Sequence, residues 1–147
     1  MSGGTHPARR AALALLACAL LAPQAVIAQD PRAAVVQRVA REWLALVDKL
    51  DAAASWSAAG ARFQQGMTTA QWAEILRRDR EARGAIVQRA VTATTFSNSG
   101  PGLPAGGDYA LVRFRSSFAN LADGGEEVIL EVGPGYVWRV IGYALLG

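Results

Sequence analysis

The sequence predicts an α+β domain: three N-terminal helices packed on one face of a curved, about four-stranded antiparallel sheet. Three observations carry this. Apolar residues recur at helical spacing between about residues 31 and 84. From about Ile86 onward, β-branched and aromatic residues alternate with polar ones. The later strands are joined by Asp123-Gly124-Gly125 and Gly133-Pro134-Gly135, turns too short for the helical crossovers of a parallel sheet.

Asp30-Pro31 starts the first helix, with an N-cap oxygen followed by a ring that pre-sets φ. Val35, Val39, Trp43, Leu46 and Leu50 then form an apolar stripe, so this helix is predicted over about 31–50. Asp51 is placed to cap a short second helix, Ala52 to Trp56, which Gly60 ends. Thr68-x-x-Gln71 is a capping box opening the third helix, with Trp72, Ile75 and Leu76 before Gly84. Val91 to Phe96 forms a strand and leads into the turn-rich segment 97–108. In the next strand Ala110, Val112, Phe114 and Phe118 point inward, and Tyr109, Arg113 and Arg115 outward. Val128, Leu130 and Val132 oppose Glu127 and Glu131 in the third strand. The last strand is apolar on both sides, with Trp138, Val140 and Ala144 on one and Val137, Ile141, Tyr143 and Leu145 on the other. Together with Leu111 and Ile129, its second side makes an outer patch that a homodimer would cover.

Residues 1–28 read as a cleaved signal peptide, and residues 29–147 as the single domain. Arg9 and Arg10 supply the positive start, Ala11 to Ala22 an apolar run of 12, and Val26-Ile27-Ala28 the small residues before cleavage between Ala28 and Gln29. Twelve apolar residues are too few to span a bilayer, which takes about 20. A periplasmic or secreted protein is expected. The alternative is a lipid anchor at Cys18, because Leu15-Leu16-Ala17-Cys18 loosely fits a lipidation motif. The leader takes two of the 15 basic residues and none of the 12 acidic ones, leaving a net charge of +1 on the domain. That balance gives no ground for nucleic-acid binding.

The only Cys and the only His, Cys18 and His6, also lie in the leader. The mature chain therefore lacks the residues for a disulfide, a thiolate nucleophile, a Ser-His-Asp triad or a Cys/His metal site. No cofactor, metal or catalytic residue is assigned. Trp43, Trp56, Trp72 and Trp138 read as core anchors, with a ligand cavity as the alternative. Asp51 reads as a cap and Asp48 as a solvated helix end, with a general-base role as the alternative for both. Arg80, Arg83 and Arg89, with Arg77 and Arg78, read as a charge-balanced solvated face, with a clamp for a carboxylate or phosphate as the alternative. Arg89 stands apart, because it follows Gly84 at the passage from helix to strand. Arg113 and Arg115 are expected to pair with Glu127 and Glu131 across the strands.

Trp43-Leu44-Ala45-Leu46-Val47-Asp48, Ser55-Trp56, Gln71-Trp72 and Arg80-x-x-x-Gly84 followed by Arg89 resemble a bacterial family. So do Pro101-Gly102-x-Pro104-x-Gly106 before Tyr109, Ser117-Phe118-x-Asn120 and Trp138-Arg139-Val140-x-Gly142-Tyr143. This is domain of unknown function family 4019, and the resemblance covers about residues 35–145. It implies an exported protein with a fold similar to the nuclear-transport-factor-2-like or cystatin-like cone, and it assigns no activity. The chain departs from the family pattern at Ala82-Arg83 and at Leu121-Ala122-Asp123.

Two functions are weighed. One is a non-catalytic envelope module for a partner protein or a small apolar ligand, with Trp56, Trp72, Arg89 and Tyr143 as ligand-binding candidates. The other is an isomerase- or dehydratase-type enzyme using a buried carboxylate and a tyrosine. The named inward strand residues include no acid, which favours binding.

Overall fold

The computed structural model describes residues 30–147. The expectations for Cys18, Ala28 and Gln29 lie outside the described residues. The domain is of the α+β class, with four helices followed by four strands. The helices are α1 (Arg32–Asp48), α2 (Ala52–Ala58), α3 (Ala61–Gly66) and α4 (Thr69–Arg83). The strands are β1 (Ile86–Ser97), β2 (Tyr109–Phe118), β3 (Leu121–Val132) and β4 (Trp138–Leu146), an antiparallel meander in sequence order with β1 and β4 at its edges.

The expected three helices are thus four, and the sheet is open rather than curled into a cone. The additional helix, α3, follows Gly60, whose N–H donates to the Val140 carbonyl at 2.7 Å. This contact ties the helix start to the edge strand β4. Phe63 of α3 is buried in the core, while Arg62 reaches Glu131 of β3 at 3.0 Å. Six residues with one apolar anchor are too short to show a periodic pattern.

Local sequence accounts for the other helix boundaries. Asp51 caps α2 by accepting from the Ala54 N–H at 3.0 Å. Thr68 and Gln71 form the reciprocal capping box of α4. Asp30 accepts from the Arg32 N–H at 2.9 Å, one residue ahead of α1. The buried face of α1 is rotated from the expected stripe: Val36, Ala40, Trp43, Leu44 and Val47 enter the core, while Val35 and Leu50 are exposed. Small Ala33 and Ala40 let this face lie close to the sheet, and the helix carries apolar residues on both flanks.

The core joins α1, α3 and α4 to Ala110, Val112 and Phe114 of β2, Val128 and Leu130 of β3, and Trp138 and Val140 of β4. Trp43 stacks on Trp72 with ring centroids 5.8 Å apart, and Phe63 meets both indoles edge-on. Ser55, fully buried, satisfies both indole N–H groups: its carbonyl takes Trp43 Nε1 at 2.9 Å and its Oγ takes Trp72 Nε1 at 2.8 Å. Tyr109, expected to face solvent, is buried and donates to the Pro104 carbonyl at 2.9 Å. The 97–108 segment folds over it, and a Cβ on Gly107 would come within 2.6 Å of its ring.

Two bulges set which side chains face the helices. In β1, Val91 pairs with Phe114 and Ala93 with Arg113, so Thr92 is the extra residue. In β4, Val140 pairs with Leu130 and Gly142 with Ile129, leaving Ile141 extra. Beyond Ile141 the alternation inverts. Tyr143 and Leu145, expected on the outer face, turn toward the helices, and Ala144 turns out. The outer patch loses Tyr143 and Leu145 and keeps Leu111, Ile129 and Ile141, all half-buried, beside the Arg113–Glu127 pair at 2.6 Å. Arg115 reaches Asp123 instead of a β3 glutamate.

Gly84 ends α4 with φ 76° and ψ −170°, a conformation in which a Cβ would meet Ala119 at 3.0 Å and Asn120 at 3.1 Å. The β2–β3 turn is thereby held against the helix end, with the Asn120 N–H donating to the Arg83 carbonyl at 2.8 Å. Gly84→Ala is expected to lower stability by about 1–3 kcal/mol, read from the urea midpoint, because this backbone region is essentially reserved for glycine.

Candidate functional site

The inward parity that places Val128 and Leu130 in the core also places Glu126 there, and Glu126 is fully buried. The inner face therefore does contain an acid, contrary to expectation. Sequence alternation carried the signal: Glu126, Val128, Leu130 and Val132 share one face of β3. Asp123-Gly124-Gly125, expected as the turn before it, instead lies within β3, so Glu126 sits mid-strand rather than at a strand end.

Four charged side chains meet between the layers. Arg89 of β1 donates from Nε to Glu126 Oε1 at 2.7 Å. Its Nη1 and Nη2 donate to Asp48 Oδ2 and Oδ1 at 2.9 and 2.8 Å. Arg80 of α4 adds Nη2 to Asp48 Oδ1 at 2.9 Å. Ser116 of β2 donates to Glu126 Oε1 at 2.6 Å, and the Tyr143 hydroxyl donates to Oε2. Two arginines and two carboxylates make the group formally neutral. Asp48, expected as a solvated helix end, instead receives three hydrogen bonds that offset both its burial and the unfavourable C-terminal dipole of α1. Arg80, expected on a solvated face, is only 3% exposed.

The environment shapes the titrations. Burial opposes ionisation of Asp48, but the hydrogen bonds from Arg89 and Arg80 outweigh it and hold its carboxyl below the ordinary 3.8. Burial likewise disfavours charge on Arg89, yet Asp48 and Glu126 raise its pKa above the usual arginine value. The Tyr143 hydroxyl is pushed well above the usual phenol value, first by burial and then by the Glu126 carboxylate. It stays protonated at any physiological pH.

Beside this group lies a cleft of about 640 Å3 between α4, the β2–β3 turn and the C-terminal end of β4. Trp72, Ile75, Tyr143 and Leu145 give it an apolar wall, and Arg80, Arg83 and Asn120 a polar one. Arg80 is unusual within it. Its Nε and Nη1 are buried and have no hydrogen-bond partner among the described residues. The Arg80 and Arg83 guanidiniums both lie against the Phe118 ring, 5.0 and 5.9 Å from its centroid.

The structure brings the sequence candidates together incompletely. Trp72 and Tyr143 line the cleft. Arg89 stands behind it in the ion group. Trp56 lies elsewhere, its indole N–H held by the Met67 carbonyl at 2.9 Å. Ser116, Glu126 and Asn120 are the residues that sequence reasoning did not single out as site candidates. Among the described residues no three His, Cys, Asp or Glu side chains are grouped to hold a metal ion, and no helix is long and apolar enough to cross a membrane.

Fold and site together define a small α+β domain with a buried ion group standing behind a half-apolar cleft. The chain belongs to the family described as "Protein of unknown function (DUF4019)", which matches residues 39–143. That span contains Asp48, Arg80, Arg89, Ser116, Glu126 and Tyr143. Comparison with curated proteins and with solved structures found no match.

Acidification tests the Asp48 assignment. Because the folded-state pKa of Asp48 is lowered, its stabilisation is complete above the unfolded carboxylate value and is lost as pH falls through the folded one. Urea midpoints are expected to fall below about pH 4, and less steeply in Asp48→Asn. Glu126→Ala is expected to destabilise by about 3–5 kcal/mol, since it leaves Arg89 buried without half of its partners.

Proposed function

We propose that the mature domain works outside the cytoplasm as a non-catalytic binding module, taking a small apolar ligand into the cleft beside Trp72 and Tyr143. The cleft itself carries this reading. Its volume, about 640 Å3, lies within the range of about 300–1,000 Å3 typical of small-molecule sites. Its wall sets Trp72, Ile75 and Leu145 beside the charged Arg78, Asp79, Arg80 and Arg83. The leader sequence supports export.

The enzyme alternative draws on one observation, the contact of Tyr143 with the buried Glu126 at the cleft wall. The hydrogen bonding speaks for a holding role instead. Glu126 already accepts from Arg89, Ser116 and Tyr143, and none of its surface is open to a substrate. Asp48 is held as a weak base by two arginines. A general base needs a free acceptor within reach of the proton it removes.

The neutral fluorophore N-phenyl-1-naphthylamine tests the binding reading. Saturable fluorescence enhancement is expected with the unaltered domain. Ala82→Trp, which puts an indole at an exposed position of the cleft wall, is expected to weaken binding at least tenfold while leaving the urea midpoint in place. Absence of saturable binding, or binding unchanged by Ala82→Trp, would refute the cleft as a ligand site.

A further inference from the structure

Resting on the cleft reading, we propose that its ligand is a singly charged amphiphile, an apolar chain ending in a carboxylate that Arg80 and Arg83 bind. Buried polar groups in folded proteins almost always have partners. Arg80 breaks this rule twice in one side chain: Nη2 is bound to Asp48, whereas Nε and Nη1 are buried and unpartnered among the described residues. Its single carboxylate, Asp48, is shared with Arg89, which takes both oxygens. Arg80 therefore has donor capacity that the protein does not use, covered at the wall of the cleft where its guanidinium lies against Phe118.

Arg83 adds to it. One turn of helix separates the two residues at i and i+3, so their side chains project from the same side of α4. Among the described residues Arg83 meets no carboxylate, and the only hydrogen bond of its guanidinium is a long one, 3.4 Å, to the Leu146 carbonyl. Asp48 and Glu126 neutralise Arg80 and Arg89, and Asp79 neutralises Arg78 at 2.8 Å. Among the described residues Arg83 is left without such a partner, so a negatively charged head suits it. A planar carboxylate suits guanidinium donors, which can grip it through parallel N–H groups. The apolar wall formed by Trp72, Ile75 and Leu145 would take the chain attached to that head.

Calorimetric titration with dodecanoate and with dodecanol, each below the concentration at which it aggregates, separates head from tail. Dodecanoate is expected to bind about tenfold more tightly, the scale of one charge-assisted interaction. Arg83→Met, at a half-buried position, is expected to fold normally and to reduce that preference at least fivefold. Arg80→Met removes one of the two arginine partners of Asp48 and is expected to lower stability; Arg80→Lys keeps the charge and is expected to weaken dodecanoate more than dodecanol. Equal affinity for the two probes, or a preference unchanged in Arg83→Met, would overturn the anion assignment and leave the apolar cleft standing. Failure of both probes to bind, together with failure of the neutral fluorophore, would overturn the cleft reading itself.

Discussion

Arg89 joins the two layers of this protein through one guanidinium. On one side it binds Glu126 of the sheet, and on the other it binds both oxygens of Asp48 at the end of α1. Neither carboxylate belongs in an apolar interior alone, because desolvation costs several kcal/mol per ion unless opposite charge and hydrogen bonds offset it. The offset here requires β1, β3, α1 and α4 to be in register with one another. An alternative packing with the same apolar contacts would leave a charge buried without its partner. The ion group thus selects this arrangement more than it strengthens it, while the apolar core supplies most of the stabilisation.

The bulge at Ile141 serves the same requirement. Without the extra residue, Tyr143 would face outward with Ile141 and Val137, and Glu126 would lose its third donor. With it, the ring enters the helix-facing layer, meets Trp43 and Trp72 edge-on, and covers Glu126 with its hydroxyl. One inserted residue changes the partner of a buried charge and the wall of the cleft together. Ser55 plays the corresponding part among the helices. A single small side chain accepts one indole and its backbone the other, so two tryptophans are buried with their polar atoms satisfied.

The arginines of α4 divide by face. Arg77 and Arg78 pair with neighbouring acids along the exposed helix surface, where such pairs contribute little. Arg80 turns inward and Arg83 lies at the cleft. The same helix therefore offers a solvated charge surface on one side and unspent guanidinium donors on the other. Its end is fixed by Gly84, which allows the β2–β3 turn to approach closely enough to bring Asn120 to the cleft.

The order of elements, helices before an antiparallel meander, was legible in the sequence, because periodicity and turn chemistry are local. So were the Asp51 cap and the Thr68–Gln71 box, each a bond between residues three apart. Glu126 was legible too, since its parity matches that of Val128, but its meaning was not, because nothing local says that Arg89 lies opposite. Tertiary structure alone decided the rest. Bulges at Thr92 and Ile141 shift alternation without a residue-level signature, and α3 gains its place from the edge of β4 more than from its own pattern. Whether Arg80 is solvated or buried depends on which of two flanks of α4 meets the sheet. That choice belongs to the packing of distant segments, in which charges more than thirty residues apart in sequence satisfy one another.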